Sequence, residues 1–367
     1  MGARVATPIR SLQTDVYRVP TDQPESDGTL QWGHTGIVVV RAAAGDAFGL
    51  GWTYASGAAA ELIRATIEPA IRGLPAFAIE AAWGKMADAL RNAGRPGAGA
   101  MALSAVDIAL WDLKARLLGL PLVELFGAAR KSVELYGSGG FTSYSETELA
   151  EQLGGWAASG LRSVKMKVGR EPAADPGRVA AARKAVGPDV RLMVDANGAY
   201  NRKQAAELAR IFADQDRVRW LEEPVSSDDL EGLRLLRDRG PAGLEIAAGE
   251  YGDCPGYFRT MLDAGAVDCL QADATRCGGF TGFLKAAALA EACHLPLSAH
   301  CAPQVHAHVG CAAAALRDVE WFHDHVRADP LLFDGVLEPA DGKLQPDPER
   351  PGHGLTLKAA DAERFRA

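Results

Sequence analysis

The feature that most constrains this chain is a recurrence. From Val133 onward a short apolar, β-branched run, a polar residue at or near its end and a helical stretch follow one another repeatedly. The runs are "VELYGSG", "LRSVKMKV", "VRLMVDA", "VRWLEE", "LEIAAGE", "VDCLQAD", "LPLSAH" and "RDVEW". The polar residues from the second run onward are Lys167, Asp195, Glu222, Glu250, Asp273, His300 and Glu320, separated by 28, 27, 28, 23, 27 and 20 residues, about one strand plus one helix each time. Strands alternating with helices pair in parallel. Eight such units predict an α/β fold, a modified (β/α)8 TIM-type barrel whose last helix can be replaced, and all strand C-termini of such a barrel meet on the face where barrel enzymes build their sites.

Residues 1–128 read as an α+β capping domain. The β-branched runs at 7–19 and 36–41 predict strands. The polar stretch between them, "PTDQPESDGTLQWGH", reads as a loop too long for a tight hairpin, of the kind that forms lids and binding loops. "GDAFGLGWTYASG" reads as a second such stretch, and the alanine-rich pattern after it is helical. In "SAVDIALWDLKARLLGLPLVELFG", Val106, Leu110, Leu113 and Leu117 share one helical face, with Gly119 and Pro121 as the stop. Residues 129–326 are then the barrel, and the turn-rich segment 327–367 is expected to pack back on the capping domain.

Composition narrows the partners. With 48% hydrophobic and 23% charged residues and a formal net charge of -8, the chain reads as a globular protein without the basic stripe that nucleic acid requires. No apolar run reaches the ~20 residues that span a bilayer, and the first residues lack the apolar stretch of a signal peptide, so a cytoplasmic protein is expected. The six cysteines show no C-x-x-C spacing and read as reduced, packed thiols.

Charged groups gathered at one barrel mouth must satisfy one another or bind something, since each costs several kcal/mol to bury unpaired. Asp195, Glu222 and Glu250, on consecutive strands, form an all-oxygen set suited to one Mg2+. Lys165 and Lys167 are two apart and so share a strand face. Crowding by Lys165 and the metal is expected to lower the pKa of Lys167 into the range of a general base. His300 comes from the other side, with Asp273 placed to orient its ring. Asn197, Arg276, His34 and Trp32 are candidate substrate contacts; Arg276 can bind a distal oxyanion or neutralise Asp273. Glu223, beside Glu222, is expected to face away in a structural salt bridge. His306, His308, His323 and His325 form two H-x-H pairs, read as solvated or core histidines rather than a second metal site.

Taken in order, "ALWDLKARLLGLPL", "KMK", "VDAN", "LEEP", "GE", "QADATRCGG", "SAHCAP" and "EWFHDH" resemble the enolase superfamily in its mandelate racemase-like subgroup, over essentially the whole chain. The resemblance implies that Asp195, Glu222 and Glu250 bind Mg2+, that Lys167 and the Asp273–His300 pair are the acid/base catalysts, and that Glu320 donates a hydrogen bond to an enolate. Enolase-superfamily sites, in which a Lys or His base works with Mg2+, are a known pattern.

Such a site can reprotonate the enolate, giving a racemase or epimerase of a 2-hydroxy acid, or expel a β-hydroxyl, giving a 2-keto-3-deoxy acid. The polar 20–34 stretch and the frequency of acid-sugar dehydration among proteins similar to this one favour a dehydratase acting on an aldonate or aldarate. Cycloisomerisation is set aside because that subgroup resembles a second lysine where this chain has Asp273. A non-catalytic metal- or sugar-acid-binding protein is a remote alternative. A small-molecule carboxylate is the expected partner, and a homo-oligomer the expected assembly.

Overall fold

A computed structural model describes residues 7–367; the first six residues of the expected capping domain, with the start of the stretch read for a signal peptide, lie outside the described residues. Three antiparallel strands open the fold, β1 (Ile9–Ser26), β2 (Gln31–Ala44) and β3 (Ala47–Thr53). The apolar run of β2 is continuous because both of its faces are covered. Side chains alternate along a strand, so Ile37 and Val39 join Tyr17, Val19 and Trp52 in a core continuous with the barrel, while Val38, Val40 and Ala42 pack on the capping helices.

The helix Ala98–Leu118 buries Val106, Leu110 and Leu113 and ends at Gly119 in the left-handed conformation. Its close approach explains the glycines of β3. A Cβ on Gly49 would stand 2.1 Å from the Ala109 carbonyl oxygen, and one on Gly51 2.2 Å from that of Ala105.

Two expected loops prove to be strand. Pairing of β1 with β2 continues, after an irregularity between Pro20 and Glu25, to Glu25 opposite Trp32 and Ser26 opposite Gln31. The reversal is confined to residues 27–30, where Asp27 Oδ1 accepts from the backbone N of Thr29 and of Leu30 at 2.7 Å each, an Asx turn. A ladder is made by backbone groups, so polar side chains do not prevent it. "AFGLGWT" is likewise β3, its glycines serving helix packing rather than a loop.

The eight parallel strands follow as β4 (Val133–Gly139), β5 (Ser163–Lys167), β6 (Arg191–Asp195), β7 (Trp220–Glu222), β8 (Glu245–Ala248), β9 (Cys269–Ala272), β10 (Leu297–Ala299) and β11 (Leu316–Phe322). Each pairs with the next, and β11 closes on β4 with Val319 opposite Leu135 and Glu320 opposite Tyr136. Tyr136, Met193, Trp220, Ala247 and Cys269 cluster, buried, within this closed sheet, so the barrel is a packed core rather than a pore.

The C-terminal segment returns to the first strands through one buried carboxylate. Asp112 accepts from the backbone N of Leu50 at 2.7 Å and of His353 at 2.9 Å, and pairs with Arg116 at 2.7 Å. Arg116 also donates to the Leu355 carbonyl, and Leu344 pairs antiparallel with Val133 of β4.

Candidate active site

Strand register builds the site. Lys167 on β5 is the partner of Asp195 on β6, and Asp195 is the partner of Glu222 on β7, so the three stand side by side at one level. Glu250, Asp273 and His300 lie just beyond the ends of β8, β9 and β10. Asp195, Glu222 and Glu250, all buried, bring one oxygen each within 4.8 Å of one another.

Both lysines face these carboxylates. Lys165 Nζ is 2.7 Å from Glu222 Oε1, 2.8 Å from Glu320 Oε1 and 3.8 Å from Asp195 Oδ2. Lys167 Nζ is 2.5 Å from Asp195 Oδ2. On the far side of the cluster His300 Nδ1 is 2.9 Å from Asp273 Oδ2, whose partner oxygen accepts from the N and hydroxyl of Thr275 at 2.7 Å each. His300 Nε2 then faces Glu250 Oε2 at 3.3 Å. Arg276 lies 3.3 Å from Glu250 and 3.5 Å from Asp273, so it neutralises the carboxylates while lining the cavity. That cavity, about 360 Å3, is walled otherwise by the capping strands and by Asp324, with Trp32, His34 and Tyr54 among its lining, and it meets the carboxylate and lysine cluster through Arg276 rather than enclosing it. Trp32 is tied by its indole N–H to Asp324 Oδ2 at 2.8 Å. Asn197, in a left-handed turn, donates its backbone N–H to Asp195 Oδ1 and leaves its own buried Oδ1 without a partner.

Three electrostatic expectations are set against the geometry, and the one for Glu223 is corrected. Burial lowers the pKa of Lys167 and so does Lys165, but Asp195 and the other carboxylates outweigh both, so the amine is held above its ordinary value. The expected depression includes a bound cation, which would share the Asp195 carboxylate with this amine. For Glu320, expected to donate to an enolate, burial raises the pKa, but Lys165 and His300 outweigh this and hold it well below the usual carboxylate range, and its Oε2 accepts from the Cys301 N at 2.9 Å. Glu223 makes no salt bridge among the described residues. The chain leaves the strand after Glu222 and turns left-handed at Glu223 (φ 38°), so strand alternation no longer applies, and its buried Oε1 lacks a partner. Burial, and next Glu250, push its carboxyl well above the usual range.

This crowding tests the fit to a cation. Burial and Asp195 together push Glu222 up to about 8, and Glu250 Oε2 and Glu223 Oε1 are buried without a hydrogen-bond donor. An all-oxygen set of three carboxylates with unsatisfied lone pairs fits a hard divalent ion that completes its shell with water and substrate oxygens.

Sequence reasoning missed two groups. His323 stands in a cluster with Glu25 and Asp324, carboxylates brought from the β1 end and from the next residue. The other H-x-H residues are core: His306 bridges the Ala274 N and the Cys301 carbonyl at 2.9 and 2.8 Å, and His325 stacks on Tyr54. Cys301 adjoins His300 in sequence, which was the available signal. It reaches the site only because Cys301 and Ala302 both turn left-handed, at φ 51° and 41°.

Residues 14–127 match the mandelate racemase / muconate lactonizing enzyme N-terminal domain, and residues 148–362 match the enolase C-terminal domain-like family. The chain belongs to the enolase superfamily, in its mandelate racemase-like subgroup. Among family members, a mandelate racemase/muconate lactonizing enzyme-like protein from Rubrobacter xylanophilus shares 55% identity at a TM-score of 0.96, over 98% of this chain and 99% of that one. The 3,6-anhydro-alpha-L-galactonate cycloisomerase of Streptomyces coelicolor is 35% identical over 97% of this chain and 98% of its own length. The L-talarate/galactarate dehydratase of Salmonella typhimurium is 33% identical over 97% of this chain and 90% of its own. Its structure with Mg and L-lyxarohydroxamate superposes at a TM-score of 0.89, with 30% identity over 100% of this chain and 96% of that one. A cycloisomerase and a dehydratase thus stand at similar identity to this chain. No helix among the described residues is long and apolar enough to cross a membrane.

Proposed function

We propose that this protein is a Mg2+-dependent dehydratase of an acid sugar, an aldonate or aldarate. One observation carries the reading: two acid/base groups of different kinds, Lys167 and the Asp273–His300 pair, abut opposite members of one carboxylate cluster, Asp195 and Glu250. Asp195, Glu222 and Glu250 are the residues that hold the metal. Mg2+, when bound, supplies positive charge to the substrate carboxylate, without which its α-proton is barely acidic.

The residue on the α-proton's side takes that proton, and the one on the other side gives a proton to the β-hydroxyl. The C–H and C–O bonds break, water leaves, and the resulting enol becomes the 2-keto-3-deoxy acid. Asp273 fixes His300 Nδ1 as the donor and leaves Nε2 free for this exchange. Lys165, fully buried, adds a fixed charge beside the developing enolate, and Glu320 positions Lys165. Trp32, His34, Asn197 and Arg276 are the proposed substrate contacts: Trp32, His34 and Arg276 line the 360 Å3 cavity beside the cluster, and Asn197 keeps an unpartnered Oδ1 next to Asp195. The relatives named for acid sugars support this class. The reading places the enzyme in the cytoplasm as a homo-oligomer.

A second reading, cycloisomerisation, is supported by the 35% identical cycloisomerase. Incubation with Mg2+ and a panel of mono- and diacid sugars, read by mass spectrometry, separates the outcomes. A keto acid lighter by one water supports dehydration, and a ring-opened or ring-closed product of unchanged mass supports cycloisomerisation. In D2O, deuterium at the α-carbon of an acid sugar recovered without loss of water or change of ring supports epimerisation. No change with any acid sugar sinks the substrate class.

A further inference from the structure

We propose that His300, Cys301 and Glu320 form a second metal site, selective for a thiophilic ion such as Zn2+, whose occupancy takes His300 out of catalysis. The donor atoms already stand at the spacing of a metal's coordination shell. Cys301 Sγ is 3.3 Å from His300 Nε2 and 3.4 Å from Glu320 Oε2, and the latter two are 3.8 Å apart. With Zn–S near 2.3 Å and Zn–N or Zn–O near 2.0–2.2 Å, ligands at tetrahedral angles stand about 3.4–3.6 Å apart. The three observed separations are three edges of such a tetrahedron, to within a few tenths of an ångström.

The surroundings match a zinc site as well. Zinc-ligating imidazoles usually donate their other ring N–H to a carboxylate, and His300 Nδ1 faces Asp273 Oδ2 at 2.9 Å. Glu320 is held from behind, its Oε1 by Lys165 at 2.8 Å, which leaves Oε2 turned toward the thiol. All three residues are buried, and the fourth position is left to a water molecule. The donor set of sulfur, nitrogen and oxygen differs in kind from the all-oxygen Asp195–Glu222–Glu250 set. Hard Mg2+ prefers the oxygens, while thiolate selects softer ions. Binding releases the Cys301 thiol proton to solvent and forms Zn–S, Zn–N and Zn–O bonds, with no change of oxidation state.

The inference is tested by binding, independently of any substrate. With excess Mg2+ present to fill the carboxylate set, wild type, C301A and C301S are titrated with Zn2+ against a chromophoric chelator. Co2+ serves as a spectroscopic stand-in whose thiolate ligation gives a near-ultraviolet charge-transfer band. Wild type is expected to bind one Zn2+ and to show the band with Co2+. The variants should lose the band and bind Zn2+ weaker by more than the roughly 10–100-fold that follows loss of an outer-shell partner. Wild-type Zn2+ affinity in C301A, or no thiolate band in wild type, overturns the site. Once a substrate is known, Zn2+ should inhibit wild type in a way that added Mg2+ does not relieve and that C301A resists. Inhibition of C301A equal to that of wild type contradicts the proposal by a second route.

Discussion

At the scale of single residues, the site depends on charges that are buried only because they face one another. Lys165 bridges Glu222 and Glu320 from a fully buried position. Lys165→Met therefore leaves two carboxylates without their cation and is expected to destabilise the metal-free protein by about 3–5 kcal/mol, read in chemical denaturation. It also removes a like charge that lowers the pKa of Lys167. In the Mg2+ enzyme the limb of the pH–rate profile that reports this lysine should move to higher pH; an unmoved limb would refute the tuning role. Lys167→Ala and His300→Asn each remove one proton-transfer partner, and each should lower kcat by roughly 10²–10⁴ with the fold intact by circular dichroism. The identities of these residues were legible in the sequence because the spacing of strand ends exposes them. Their protonation was not, since the state of Lys167, Glu320 and Glu223 depends on distances across the barrel.

At the scale of elements, the same distinction recurs. The eight barrel strands announce themselves through apolar runs and regular spacing, because an interior strand must bury both faces. The extension of β1 and β2 to Ser26 and Gln31 does not, because its ladder is carried by backbone atoms while its side chains are polar. The glycines of β3 misled for a related reason: their purpose is a contact with the helix Ala98–Leu118, which lies elsewhere in the chain. Gly49→Ala forces a Cβ against the Ala109 carbonyl and should cost about 1–3 kcal/mol of stability, measurable as a lower Tm. The same helix caps a barrel helix in trans, since Asp107 accepts from the N and hydroxyl of Thr281 at 3.0 and 2.7 Å. Asp107→Ala leaves these donors buried and should destabilise by about 1–3 kcal/mol. Unchanged melting of both variants would show that the contact between capping helix and barrel contributes little.

At the scale of the whole molecule, buried ionisable groups set a pH window for stability. Burial lowers the pKa of His306, His323, His325 and His353 and takes His308 down to about 3. Their contribution is present above the unfolded value near 6.5 and is lost as pH falls toward the folded values. Burial pushes Asp107 and Asp329 up to about 7 and Glu25 up to about 9. Their contribution is complete below the unfolded carboxylate range near 4 and is lost as pH rises through the folded values. Stability of the metal-free protein should pass through a maximum between about pH 6 and 7.5. A Tm that rises steadily from about pH 5 to 9 would show that these groups are solvated or differently paired. The central claim is that Lys167 and His300 serve one cation-holding carboxylate cluster from two sides. Its most direct test is α-proton exchange in D2O with an accepted acid sugar, for wild type with Mg2+, wild type with EDTA, each single variant Lys167→Ala and His300→Asn, and the double variant. The account predicts exchange in Mg2+-loaded wild type, exchange surviving in one single variant, and none in EDTA or in the double variant. Exchange that persists in the double variant, or without metal, would contradict it.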